Sequence, residues 1–329
     1  MRIQRAYHRD TPELLERLCK TPQMQRLRQV GMNCGCEYTS FKRFRGLGEY
    51  SRFDHSLGTA KIVWHFTNDP IQSTAALFHD IATPTFAHSV DFLRGDHLKQ
   101  ETTEKQTEQV IRESNEIDRI LREYGIDVEA VLDYHRYPIA DNDTPRLSAD
   151  RLEYTLGNLE NYRMRPATAL RLYYKALCVA ENEEGMPELS FSDAASAIDF
   201  GFDALRCSRI YVADEDRYAM QMLAELLERA LRRDVLTEKD LMGTEKALIE
   251  KLLEDAQCAA EWKRFRALKQ MLRDEGTAPI ALRRVIPAKK RAIDPFVKDR
   301  GRLSTICKPF AEELQSFLHQ DQSHWICAE

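Results

Sequence analysis

The sequence predicts an all-α protein, with a large helical core and a helical C-terminal extension. Three observations carry this expectation. Apolar residues recur with a period of 3.6 along most of the chain, strand-like alternation is almost absent, and 43% of the 329 residues are apolar, enough to bury a substantial core.

The elements follow in order. Over residues 51–67, Ser51 is a helix cap and His55, Thr59, Ile62 and Phe66 share one stripe, so His55 points the way the core points. The next helix opens on Asn68-Asp69-Pro70, a cap followed by proline in the first turn, and its stripe is Ile71, Ala75, Phe78 and Ala82. Pro84 disfavours helix at Thr83 and ends it, leaving His79 and Asp80 on the last turn, at a mouth and not in mid-core. Residues 127–132 are predicted as another helix, and 137–145, rich in proline and Asx residues, as a loop. Ser148 caps a helix over 149–162 and places Asp150 in its first turn, where the macrodipole favours a carboxylate. From Asp214 the pattern becomes long charged amphipathic helices over 216–233, 237–254 and 259–273, suited to covering the core or forming a dimer interface. A boundary near 214 therefore divides 1–213 from 214–329, and 181–187 reads as an exposed connection. The tail from Arg283 is the one concentrated basic segment, and its Lys289-Lys290-Arg291 is a candidate contact for phosphate or a partner subunit.

Composition excludes several classes. A net charge of −5 argues against general affinity for nucleic acid. No apolar run approaches membrane-spanning length, and residues 1–20 are too charged for a signal sequence, so the expected location is the cytoplasm. The eight scattered cysteines read as free thiols, and Cys34-x-Cys36 lacks the second pair a zinc knuckle needs.

Chemistry concentrates in His55, the His79–Asp80 pair and Asp150. Imidazole and carboxylate are ligands that intermediate divalent metals accept, so helices delivering these four side chains to one point would bind one divalent ion and leave coordination positions open. The ligand set does not choose among Mn, Fe, Co, Ni, Zn and Mg.

The surroundings of these residues make the pattern specific. Arg52-Phe53-Asp54-His55 is followed by Ala76-Leu77-Phe78-His79-Asp80-Ile81, by Phe86-Ala87-His88 and finally by Ser148-Ala149-Asp150-Arg151-Leu152. With Met24-Gln25-Arg26-Leu27-Arg28-Gln29-Val30-Gly31 upstream, residues 21–162 resemble the HD-domain metal-dependent phosphohydrolase superfamily, and within it the deoxynucleoside triphosphate triphosphohydrolases. The C-terminal third resembles them only loosely. The resemblance implies an HD-domain helical bundle, a homo-oligomer, and His55, His79, Asp80 and Asp150 as metal ligands. It further implies Arg52 as a contact to phosphate and base, Arg151 and Tyr154 as a lining for triphosphate and sugar, Asn158 at the sugar-reading position, and Asp91 as support for a histidine. Arginine suits phosphate because its planar fork makes paired bonds to the oxygens.

Two positions depart from the family pattern. Thr83 stands four residues after His79, where the family has a histidine, and Thr103 stands ahead of Glu104, where it has another. Each change removes a group able to carry a proton near neutral pH, and His88 and His135 are the candidates to replace it. His135 is alternatively a ligand for a second metal, as in the di-iron oxygenases of the same superfamily. The leading expectation is hydrolysis of a nucleotide-like phosphate ester or anhydride by metal-bound water. Its rival is a metal-dependent nucleotide sensor that keeps the ligands and arginines and lacks turnover.

Overall fold

The computed structural model describes residues 7, 10–95, 98, 104–273 and 283–328. Thr103 lies outside them. Two short helices, α1 (Glu13–Leu18) and α2 (Pro22–Arg26), lead into the antiparallel pair α3 (Arg52–Thr67) and α4 (Pro70–Phe78). Then come α5 (His88–Leu93), α6 (Glu104–Arg112), α7 (Asn115–Glu123), α8 (Ala149–Asn161) and α9 (Ala167–Lys175). The hairpin β1 (Leu177–Glu181) and β2 (Pro187–Phe191) precedes the long helices α10 (Ala194–Tyr211) and α11 (Asp214–Arg232). The chain continues through α12 (Glu238–Leu241), α13 (Glu245–Glu254), α14 (Ala256–Ala267), β3 (Met271–Arg273), β4 (Phe296–Val297), β5 (Gly301–Arg302), α15 (Leu303–Ile306), α16 (Lys308–Leu318) and β6 (Ile326–Ala328).

The helices that carry the motif begin where their caps place them. Ser51 and Asp54 form a reciprocal capping box at α3, Asp69 accepts from the amides of Ile71 and Gln72 at α4, and Ser148 accepts from the Arg151 amide at α8. α4 stops at Phe78, one residue before His79.

Four expectations are corrected. The fold is mostly helical but not all-α: β1, β2, β4 and β5 form a four-stranded sheet, and within the connection expected over 181–187 residues 182–186 are the turn of its hairpin, closed by the Asn182 amide donating to the Met186 carbonyl, with Gly185 at a positive φ of 74°. Residues 127–132 form a single 3₁₀ turn, Val128–Ala130, because Asp127 and then Asp133 each turn a carboxylate back onto the amide two residues on, which favours turns over helix. The 237–254 helix is broken at Gly243, where Thr244 starts a new cap. The 259–273 helix runs instead over Ala256–Ala267, and Met271–Arg273 becomes a strand paired with β6. Residue 214 opens α11, and two hydrophobic clusters draw residues from both sides of it. One joins Ile62, Leu152 and Phe200 to Phe310 and Phe317; the other joins Phe41, Phe86 and Val90 to Leu223, Leu227 and Trp262. A third gathers Leu15, Phe53, Phe78 and Ile120. The motif helices thus sit between cores that the C-terminal helices complete.

α13 is also tied to the chain just before α3. Glu245 accepts from the Gly31 amide at 2.6 Å and from the Tyr38 hydroxyl at 2.7 Å. Beside it, burial and the Glu245 charge push the Glu37 carboxyl up to about 8. A carboxyl that holds its proton more tightly folded than unfolded contributes stability at low pH, and that contribution is lost as pH rises through the folded value. Glu37→Gln is therefore expected to flatten the loss of stability between about pH 5 and pH 9, read as urea midpoints. Parallel pH curves for the two proteins would refute this.

Candidate functional site

α3, α4 and α8 bring His55, His79, Asp80 and Asp150 together. The two Nε2 atoms lie 3.1 Å apart, Asp150 Oδ1 is 3.0 Å from His55 Nε2 and 3.6 Å from His79 Nε2, and Asp80 Oδ2 is 3.8 and 3.6 Å from the same two atoms. His55, His79 and Asp80 alone already form a cluster whose ligand atoms all lie within 4.8 Å of one another.

The outer ring atoms fix what faces inward. His79 Nδ1 lies 2.7 Å from the Ala76 carbonyl and His55 Nδ1 lies 2.6 Å from Glu153 Oε2. Both partners only accept, so each Nδ1 carries the hydrogen, and the neutral rings point their Nε2 lone pairs at each other. Lone pairs 3.1 Å apart repel unless a positive charge lies between them, and two carboxylates close the same space. The residues therefore fit a divalent cation. Without one a proton takes its place: burial disfavours charge on His55, yet Asp150 and Glu153 push its pKa up to about 10. Burial likewise opposes ionisation of Asp80, but the Arg52 guanidinium and the two imidazoles hold it well below the usual carboxylate range.

A buried scaffold stands behind the centre. Glu153 is fully buried and accepts from Tyr7 Oη at 3.1 Å and Tyr50 Oη at 2.5 Å as well as from His55. Two glycines make the room: a Cβ at Gly58 would lie 2.5 Å from Glu153 Oε1, and one at Gly157 would lie 2.2 Å from the Tyr50 hydroxyl. Thr83 donates its hydroxyl to Asp80 Oδ1 at 2.8 Å and is buried, so it braces that carboxylate from behind and does not line the cavity beside the centre.

The four side chains border a cavity of about 700 Å³, and most of the other expected residues line it too. Arg52 donates to Asp80 Oδ2 at 2.8 Å. Arg151 spans Asn142 Oδ1 at 2.9 Å, Ser148 Oγ at 3.1 Å and Asp141 Oδ1 at 3.0 Å, which ties α8 to the loop before it. Tyr154 meets the Tyr211 ring edge-on at 6.1 Å, and Asn158 donates to the Tyr211 hydroxyl at 2.8 Å. The His88 and Asp91 side chains pair through Nδ1 at 2.8 Å, with Asp91 buried and the imidazole on the cavity wall. Burial lowers the His88 pKa below its ordinary value, with Asp91 opposing. His135 pairs with Asp141 Oδ2 at 2.9 Å on another part of the wall and stacks with Tyr134, which also stacks on His79.

The sequence reading missed Glu153, Tyr7, Tyr50 and Asp141. Glu153 lies three residues after Asp150 and so faces the same side of α8, a spacing that could have flagged it. Tyr7 and Tyr50 carry no such signal. All eight cysteines are free thiols, and among the described residues no helix is long and apolar enough to cross a membrane.

No protein-family model matches the chain. It is 23% identical over 331 residues to the metal-dependent phosphohydrolase cns2 of Cordyceps militaris, covering 95% of this chain and 90% of that one. It is 26% identical over 239 residues to the uncharacterized protein YdhJ of Bacillus subtilis, covering 72% and 70%, and 29% identical over 161 residues to YwfO of the same species, covering 43% and 35%. The likeness to a metal-dependent phosphohydrolase is distant. It extends at most to the HD-domain superfamily, not to one branch of it.

Proposed function

We propose that this chain is a metal-dependent phosphohydrolase acting on a nucleotide or a related phosphate ester or anhydride. The observation that carries the reading is the pair of opposed Nε2 lone pairs, closed by Asp80 and Asp150, on the wall of a cavity that also holds the His88–Asp91 pair. A divalent cation held by His55, His79, Asp80 and Asp150 would polarise a phosphoryl oxygen and acidify water. The chain's own groups supply the rest. Asp91 keeps the hydrogen of His88 on Nδ1 and leaves Nε2 to accept a proton from the attacking water or pass one to the leaving oxygen, the service that Thr83 does not provide. Arg52, Arg151, Tyr154 and Asn158 are the side chains we assign to the substrate, the arginines to its phosphate oxygens.

The test is phosphate or pyrophosphate release from a nucleotide panel, with Mn²⁺, Fe²⁺, Co²⁺ and Mg²⁺ supplied in turn to protein of measured metal content. Turnover with at least one metal is expected, and none with any metal refutes the reading. Stabilisation by a nucleotide that is never converted would favour a sensor. His88→Ala is expected to lower the rate about 10²–10⁴-fold with metal content unchanged. A rate within twofold of wild type would remove His88 from the mechanism.

A further inference from the structure

The basic tail enters the same cavity. Residues 286–295 run without helix. The Ala288 amide donates to Gln322 Oε1 at 2.8 Å, Lys290 Nζ donates to the Leu318 and Gln320 carbonyls at the end of α16 at 2.5 and 2.7 Å, and Ala292 is buried. Ala288, Lys289 and Arg291 line the cavity. Arg291 lies with Nη2 3.4 Å from His88 Nε2.

The segment is held on both sides of this pair. The Thr144 hydroxyl donates to the Ala292 carbonyl at 3.1 Å and the Asp294 amide to the Pro145 carbonyl at 2.8 Å. Further on, Arg302 grips the fully buried Glu188 through both carboxylate oxygens at 2.6 Å. The cations thus sit on a braced segment and not on a free tail, and bracing lowers the entropy lost when they bind.

We propose that Lys289 and Arg291 form an anion subsite in this cavity, separate from the metal ligands, that takes a phosphate group of the substrate. This deepens the hydrolase reading and rests on it for the source of the phosphate. A planar guanidinium beside a flexible ammonium suits a tetrahedral oxyanion, and a phosphate drawn to Arg291 is brought against His88, where a proton must move.

Binding is measured on the full chain stripped of metal, with inorganic phosphate and pyrophosphate as probes in calorimetric titration and thermal shift. Wild type is expected to bind and to gain in melting temperature. Lys289→Gln with Arg291→Gln is expected to weaken binding about tenfold or more. Lys290→Gln, whose ammonium is held by the Leu318 and Gln320 carbonyls, is expected to leave binding unchanged. Far-UV circular dichroism and the unliganded melting temperature establish that the variants fold, and Arg291→Lys, which keeps the charge, is expected to retain part of the affinity. The proposal is overturned if wild type binds neither anion, if the double variant binds like wild type, or if Lys290→Gln weakens binding as much as the double variant. Because no metal or turnover enters this measurement, a chain that binds phosphate here but hydrolyses nothing would refute the hydrolase reading and leave the subsite standing.

Discussion

Alanine at His79 is expected to abolish retention of a divalent ion and to lower phosphate release by about 10³-fold or more, the loss of several kcal/mol of transition-state stabilisation. The side chain offers Nε2 to the centre and spends Nδ1 on the Ala76 carbonyl, so its removal deletes a ligand. It follows the last residue of α4 and borders a cavity, so the helix keeps its own hydrogen bonds and packing. Asp80 and Asp150 would then face His55 alone. Metal per chain by mass spectrometry and steady-state phosphate release are the measurements, with the melting curve as control. A variant that carries wild-type metal, or turns over within tenfold of wild type, would show that this centre is not the reactive one.

The second large effect is expected behind the centre. Glu153→Ala leaves the hydroxyls of Tyr7 and Tyr50 and the Nδ1–H of His55 without their common acceptor in a region closed to water. Each stranded donor costs about 1–3 kcal/mol, so a loss of about 3–5 kcal/mol in unfolding free energy is expected. Metal affinity should fall about 10–100-fold, the usual consequence of removing the group that orients a ligating imidazole. Glu153→Gln keeps the shape and one accepting oxygen, so it should recover much of the stability and little of the metal affinity. Urea unfolding and metal titration separate the two effects. If the glutamine variant binds metal like wild type, Glu153 is a packing group and not an orienting one.

The local signals were read correctly where they are local in physics. Ser51, Asp69 and Ser148 cap the three helices of the centre because a cap needs only a side-chain oxygen within three residues of a free amide. The same scale explains the misses. Residues 127–132 have helical spacing, but Asp127 and Asp133 compete for the backbone and win. The sheet went unseen because β4 and β5 are two residues each, and β4 joins it by pairing with β2, more than a hundred residues away.

The sequence by itself determined the ligand types, the helices that carry them and the likeness to a phosphohydrolase pattern. A helix turns its residues to fixed directions, so His55, His79–Asp80 and Asp150 were committed to particular faces before any packing was known. Only the tertiary structure decided that those faces meet at 3.1 Å, that Thr83 braces Asp80 instead of lining the cavity, and that Lys289 and Arg291 line the cavity while Lys290 caps a helix. Each of these depends on contacts between segments far apart in the chain, and loop closure over such distances leaves no trace in local periodicity.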